Sequence, residues 1–232
     1  MMTLEVIRTS DGSDTLFRGD LNQHYHSTFG AVQESRHIFI ETGLLHLVEK
    51  LTHTHRNGTP PFHLLEIGFG TGLNALLTQA EAEKHGIPIK YTAIEAFPLE
   101  ERYWRELNYP HFFSSDDISA VFTAIHDAKW NEAAEISPHF TLNKIHCTLE
   151  AYFPEASDFD LIYFDAFGPD AQPELWTDQI FQHLYNGLCE GGVLVTYSVK
   201  GAVVRALRAA GFQTEKLSGP PGKRHILRAT KI

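Results

Sequence analysis

The sequence predicts an α/β fold with a mostly parallel, Rossmann-like sheet, and three observations predict it. The first is the stretch from Phe62 to Asn74, an apolar run that breaks into Gly68, Gly70 and Gly72 and resumes with Leu73, Leu76, Leu77 and Ala80. An apolar run bounded by glycine reads as a buried strand, and i, i+3, i+4 spacing reads as a helix. The second is residues 158–165, an apolar strand that ends in Asp165 with a turn immediately beyond. The third is the C-terminal end, where residues 212–217 and 224–229 are strand-like and the linker 218–223 has no room for a helix. Two consecutive strands without a crossover are antiparallel.

The remaining elements follow in order. Residues 4–8 and 15–18 flank Asp11-Gly12-Ser13-Asp14 and read as a hairpin. A polar, aromatic stretch, 25–40, leads into a helical pattern, and Leu44, Leu45, Leu47, Val48 and Leu51 continue as a second short helix. Residues 1–60 are thus expected to form an extension packed on the core domain, 61–232. Gly86 and Pro88 stop the helix after the glycines, and residues 89–95 form the second strand. Pro98 opens a helix through Leu107, and Ser114 to Asp117 cap another that runs to about Ala128. Residues 140–147 alternate as a third strand. Residues 173–177 begin a helix that continues through Leu188 and ends at Gly191-Gly192, followed by a buried strand, 193–198. Residues 200–210 form the last helix, closed by Gly211.

Composition bounds the function. At 232 residues the chain has enough surface to bury for one α/β domain with a modest extension. No stretch approaches the roughly 20 apolar residues of a membrane span, and the N-terminus lacks a basic-then-apolar signal pattern, which points to a cytoplasmic protein. Cys147 and Cys189 support neither a disulfide framework nor zinc-ribbon spacing. His24-x-His26 and His53-x-His55 lack the helical spacing of a metal pair, and no metal is expected. A net charge of −10 cuts against a nucleic-acid partner unless basic residues are locally clustered. Lys200, Arg205, Arg208, Lys223 and Arg224 can supply such a cluster, or can be ordinary surface charge. Oligomeric state is not readable.

The glycine spacing narrows the ligand. Gly68, Gly70 and Gly72 form G-x-G-x-G, whereas the dinucleotide fingerprint is G-x-G-x-x-G. Glu66, two residues before the first glycine, would repel a pyrophosphate and can pair with an amino group. Glu66-Ile67-Gly68-Phe69-Gly70-Thr71-Gly72 resembles the nucleotide loop of S-adenosylmethionine (SAM) methyltransferases, and the terminal antiparallel hairpin resembles their sheet. Glu95 lies about 25 residues past the glycines, where a carboxylate accepts ribose hydroxyls. Phe97 lies against the nucleoside or in the core. Asp165, at a strand's carboxyl end, is expected in the same crevice, as a catalytic group or as a cap for the next turn.

Three blocks carry a closer resemblance: the loop through Leu73-Asn74, Glu95-Ala96-Phe97-Pro98-Leu99, and Asp165-Ala166-Phe167-Gly168-Pro169 with Pro173-Glu174-Leu175-Trp176-Thr177. With Tyr25-x-Ser27-x-x-Gly30-x-x-x-Glu34-Ser35 and Gly222-Lys223-Arg224 they resemble the methyltransferase part of the bacterial MnmC family over nearly the whole chain. That family methylates the primary amine of 5-aminomethyl(-2-thio)uridine at the tRNA wobble position. The resemblance implies SAM as cofactor, the anticodon region of tRNA as partner, and Asp165 as the group that orients the amine and takes its proton. It places Glu66, Gly68, Gly70, Gly72, Asn74, Glu95, Phe97, Thr148, Tyr25 and Ser27 at the cofactor. Glu34, Phe167, Lys200, Lys223 and Arg224 fall at the substrate, with Tyr25, Ser27 and Glu34 folding over the site as a lid. Thr148 stands where the family has an Asp near the adenine. The sequence contains no FAD-oxidase half and so resembles stand-alone members that receive the aminomethyl base ready-made. Rival readings are a SAM enzyme acting on another amine and a non-catalytic SAM-binding protein.

Overall fold

A computed structural model describes residues 4–52, 61–152 and 154–232. His53 and His55 lie outside the described residues. The chain opens with β1 (Leu4–Arg8), β2 (Asp14–Arg18) and β3 (Gln23–His24), an antiparallel three-stranded sheet. The turn between β1 and β2 also caps the next helix. Ser13 Oγ accepts from the backbone N–H groups of Ala31 and Val32, and Asp11 Oδ2 accepts from that of Gln33. These are the orphan donors of a helix N-terminus.

That helix is one continuous rod through residue 52, not two short helices. It comprises α1 (Ala31–Ser35), ten residues of π-helix (Arg36–Leu45) and α2 (His46–Thr52). The wide π turns lay it across the sheet, with Phe39 against Tyr163 and Gly43 in close approach to Val195.

The main sheet holds β4 (Phe62–Ile67), β5 (Ile89–Glu95), β6 (Ala133–Ser137), β7 (Phe140–His146), β8 (Phe159–Phe164), β9 (Leu188–Thr196), β10 (Gln213–Ser218) and β11 (His225–Thr230), in the order β10-β11-β9-β8-β4-β5-β7-β6. β4, β5, β7, β8 and β9 run parallel, while β10, β11 and the edge strand β6 pair antiparallel. The parallel sheet with its antiparallel C-terminal hairpin is the one expected; β6 is an addition. Alternate residues of the central strands feed two cores. Leu64, Leu161, Tyr163 and Val195 face the 31–52 helix, α3 (Leu73–His85) and the later α5, whereas Leu65, Ile162, Phe164 and Leu194 face the other layer.

Two expected helices are shorter, the one after Pro98 and the one expected from residue 173, where Pro173–Leu175 form a 3₁₀ turn and the α-helix begins at Asp178. The segment after Pro98 is helical only over α4 (Glu101–Trp104). Asn108 draws the chain away: its backbone N–H donates to Asp14 Oδ2 and its amide to Gly12 O, while Asp14 N–H donates to Asn108 Oδ1. α5 spans Ile118–Asp127, with Asp117 at its cap position. Thr177 caps α6 (Asp178–Gly187), whose second core-packing partner is α7 (Gly201–Ala209). α6 ends at Gly187, and Gly191-Gly192 lies inside β9 as an irregularity opposite β8, not at a helix end.

A buried polar knot ties the N-terminal segment to the glycine loop. His26 Nε2 lies 2.8 Å from Thr71 Oγ1, which also accepts from the Tyr109 hydroxyl, and His126 Nε2 donates to Thr71 O. His126 stacks on Trp104 with ring centroids 4.3 Å apart. Burial holds both imidazoles neutral, pulling His26 down to about 4 and His126 to about 3 from the usual 6.5. In the unfolded chain they take up protons below about pH 6.5, and in the fold only near pH 4 and below. The folded state therefore loses stability as pH falls, by about 2 kcal/mol per imidazole between pH 7 and pH 5. Urea midpoints at the two pH values, with a His26→Gln/His126→Gln variant that loses less on acidification, check this.

Candidate active site

The carboxyl ends of β4, β5, β8 and β9 and the segment 22–34 enclose a cavity of about 510 Å³. Its floor is the glycine loop. Gly68 donates its N–H to Ile94 O, and Gly70 donates its N–H to Glu95 Oε2 at 3.0 Å. The other Glu95 oxygen accepts from Phe97 N–H at 2.8 Å. Glu95 is thus fixed by the loop it faces, and each oxygen keeps a lone pair for a ligand.

Asp165 follows β8 directly, and its N–H donates to Ile67 O, so it is anchored to the end of β4. The Asn74 side-chain amide donates to Asp165 Oδ2 at 2.8 Å and to Glu66 Oε1 at 2.9 Å. One amide group therefore braces two carboxyls. Burial is the main cause that raises the Asp165 pKa well above the carboxylate range; nearby Glu34 adds to it, while Asn74 and Lys223 oppose it. Burial likewise raises Glu66, with Asn74 opposing. Three side chains staple the turn after Asp165. Tyr197 Oη donates to Ala166 O at 2.8 Å, Trp176 Nε1 donates to Phe167 O at 2.8 Å, and Gln172 Oε1 accepts from Phe167 N–H.

The N-terminal segment supplies the opposite wall. Tyr25 meets Phe167 edge to face at 5.0 Å and approaches Gly70. Glu34 Oε1 accepts from Ser27 N–H, and its other oxygen pairs with Lys223 Nζ at 3.1 Å. The Arg18 guanidinium, paired with Asp20, lies 5.5 Å from the Phe97 ring centroid and 5.7 Å from that of Phe167.

Of the residues singled out from sequence, Tyr25, Ser27, Glu34, Gly68, Gly70, Asn74, Glu95, Phe97, Thr148, Asp165, Phe167 and Lys223 line this one cavity. Glu66 is fully buried behind Asn74 and reaches the cavity through it. Gly72 sits at the cap of α3 against His126. Lys200 pairs with Asp170, and exposed Arg224 sits beside Lys223 on the hairpin turn. Arg18 and Tyr197 were not singled out. Tyr197 follows β9 at its carboxyl end, the position that identified Asp165, so that rule was able to find it. Arg18 carries no such signal, since only the folding back of the N-terminal hairpin brings it to Phe97.

SAM fits this cavity on three observations. The Asn74 side-chain carbonyl oxygen is buried without a partner among the described residues, as an acceptor awaiting an N–H donor. Gly70 leaves bare backbone at the floor, where a Cβ would crowd Tyr25. Glu34, Glu95, Glu150, Asp165 and Glu174 make the lining acidic, which suits a cationic ligand and opposes a phosphate. Among the described residues no cluster of three or more metal-ligating side chains occurs, and no helix is long and apolar enough to cross a membrane.

Comparison with known proteins agrees. Residues 121–232 match the model of a family described as S-adenosyl-L-methionine-dependent methyltransferase. The tRNA 5-methylaminomethyl-2-thiouridine biosynthesis bifunctional protein MnmC of Magnetococcus marinus is 32% identical over 217 residues, covering 88% of this chain and 30% of that protein. Its counterpart from Pseudoalteromonas atlantica is 27% identical over 241 residues, covering 97% of this chain and 33% of that protein. The chain thus spans about a third of the length of these relatives. Among solved structures, MnmC2 from Aquifex aeolicus superimposes with a TM-score of 0.78 at 22% identity, over 99% of this chain and 70% of that one. Spermidine synthase from Thermotoga maritima superimposes at 0.52 and 18% identity, over all of this chain and 75% of that one.

Proposed function

Because this chain belongs to the S-adenosyl-L-methionine-dependent methyltransferases, as the methyltransferase part of MnmC-type proteins, we propose that it methylates the primary amine of 5-aminomethyl(-2-thio)uridine at the wobble position of tRNA. The observation that carries this reading is Asp165, anchored at the sheet's end, braced on Oδ2 by Asn74 and lining the glycine-loop cavity, with no hydrogen bond to Oδ1 among the described residues. When bound, SAM supplies a methyl group on a sulfonium, open to in-line displacement by an amine lone pair. Glu95 would hold its ribose, the Asn74 carbonyl oxygen its amino group, and the loop glycines its close approach.

The chain's own residues then manage the amine. An aminomethyl group arrives as an ammonium, and the acidic lining attracts it. Asp165 Oδ1 accepts a hydrogen bond from it, which orients the nitrogen, and takes up the proton that must leave before or as the N–C bond forms. Low polarity around Asp165 makes its carboxylate a stronger base than one in water. Tyr25 and Phe167 form an aromatic wall suited to a pyrimidine ring. The same acidity keeps phosphates outside, so the RNA backbone would meet basic residues outside the cavity, such as the exposed Lys200, Arg205 and Arg224.

Methyl transfer from labelled SAM to tRNA bearing 5-aminomethyl-2-thiouridine, followed by nucleoside mass analysis, tests the proposal. A methylaminomethyl nucleoside is expected. Its absence, with a protein that binds SAM, would move the assignment to another amine.

A further inference from the structure

We propose that Glu34 and Tyr197 form the subsite for the substrate's primary ammonium group, and that Lys223 occupies this subsite until the substrate displaces it. The proposal rests on the aminomethyl substrate inferred above and reverses the simplest role for Lys223, a phosphate contact.

The geometry is that of a small ammonium cage. Lys223 Nζ lies 3.1 Å from Glu34 Oε2 and 5.0 Å from the centroid of the Tyr197 ring, and all three residues line the cavity. A carboxylate on one side and an aromatic face on another is how proteins hold a desolvated cation. Lysine ends in CH2–NH3+, the same group that an aminomethyl base carries. Both members of the ion pair are near enough to Asp165 to act on its charge, in opposite directions. Tyr197, in turn, is tied through its hydroxyl to Ala166 O, the residue after Asp165. The cage therefore adjoins the group that is to receive the proton.

Lys223 fills the cage imperfectly. Glu34 is buried, yet among the described residues its Oε2 accepts no aligned hydrogen bond, so the contact with Lys223 is electrostatic only. A donor that approached along the lone pair would satisfy this oxygen better. The turn that delivers Lys223 is closed by backbone hydrogen bonds from Gly219 to Arg224 and from Lys223 to Pro220, so what can move is the Lys223 side chain. This turn joins β10 and β11, and Phe29, half-exposed, packs flush on Gly222. One partly exposed ion pair and one ring contact, with Tyr197, hold the Lys223 ammonium, so a substrate ammonium that takes over both can evict Lys223 and send it to the rim beside Arg224.

Two measurements test this. In the first, methyl transfer is followed with free 5-aminomethyluridine nucleoside, which carries no phosphate. Lys223→Met, which keeps the aliphatic stem, is expected to lower the nucleoside KM about fivefold, and Glu34→Gln to raise it about as much. A KM for Lys223→Met that is unchanged or raised overturns the proposal. The second is independent of turnover and of RNA. Labelling of Lys223 by a trace amine-reactive reagent is read by peptide mass spectrometry, against Lys216 on the same hairpin as internal reference. Benzylamine is expected to raise the Lys223/Lys216 labelling ratio, and benzyl alcohol to leave it unchanged. A ratio indifferent to benzylamine also overturns the proposal. If the wild-type protein methylates neither nucleoside nor tRNA, the tRNA reading falls and the labelling result alone decides the subsite.

Discussion

Asp165→Ala is expected to lower kcat for methyl transfer by about 10²–10⁴-fold, the range for a positioned proton acceptor, with little change in SAM affinity. The argument lies in the bracing of the carboxyl. Asn74 holds Oδ2 and the Asp165 backbone is locked to Ile67, so Oδ1 is delivered to the cavity at no orientational cost during the reaction. Alanine removes the acceptor and leaves the loop and Glu95 in place, which is why binding should survive. Asp165→Asn should be as inactive: its amide can turn an oxygen to Asn74 but then presents an N–H to the substrate's nitrogen. The pH profile gives a second readout. Asp165 must be ionised to accept a proton, and burial with Glu34 nearby raises its pKa, opposed by Asn74 and Lys223. Activity is therefore lost as pH falls through a value above the ordinary carboxylate range. Glu34→Gln removes one raising cause and should move that acid limb of kcat/KM to lower pH. A limb that stays in place, or a kcat for Asp165→Ala within tenfold of wild type, removes Asp165 from the proton path.

Much of this site was readable because its residues sit on regular elements. Strand ends and a glycine loop are local features, and a parallel sheet brings the carboxyl ends of its strands together whatever the sequence between them. Glu95, Asp165 and the glycines were found by that rule. What local pattern does not encode is how the N-terminal segment folds back. Arg18 between Phe97 and Phe167, and His26 on Thr71, depend on the hairpin turn capping the 31–52 helix and on Asn108 binding Asp14. The same long-range contacts shortened the helix after Pro98, overriding its propensity. The π-helical run Arg36–Leu45 was invisible for a related reason, since it arises from accommodating Phe39 and Gly43 against the sheet. Glu66 is placed differently from what its residue type suggests. Its residue type suggested a direct ligand contact, but its alternation along β4 turns it inward, where Asn74 stands between it and the cavity.

Gly68→Ala is expected to destabilise the protein by about 3 kcal/mol and to abolish both SAM binding and methyl transfer. Gly68 has a φ of 88°, which alone disfavours a side chain, and a Cβ there would stand 2.9 Å from the carbonyl oxygen of Asp165. The obstacle is backbone, held by Asp165 N–H donating to Ile67 O on one side and Gly68 N–H donating to Ile94 O on the other. No rotamer change can relieve it, so the ends of β4 and β8 must part and the Asp165 carboxyl moves with them. Gly70→Ala makes the informative contrast. Its φ of 50° lies in the left-handed region that Ala enters at about 1–2 kcal/mol, and its Cβ would meet only the Tyr25 ring, at 3.1 Å, which can shift. Urea unfolding should thus rank Gly68→Ala below Gly70→Ala in stability, while SAM titration finds both impaired, because each methyl also fills the floor of the cavity. Equal stabilities would mean that the β4–β8 junction yields easily, and Asp165 would then owe its position to Asn74 and to the side chains that staple the turn after it.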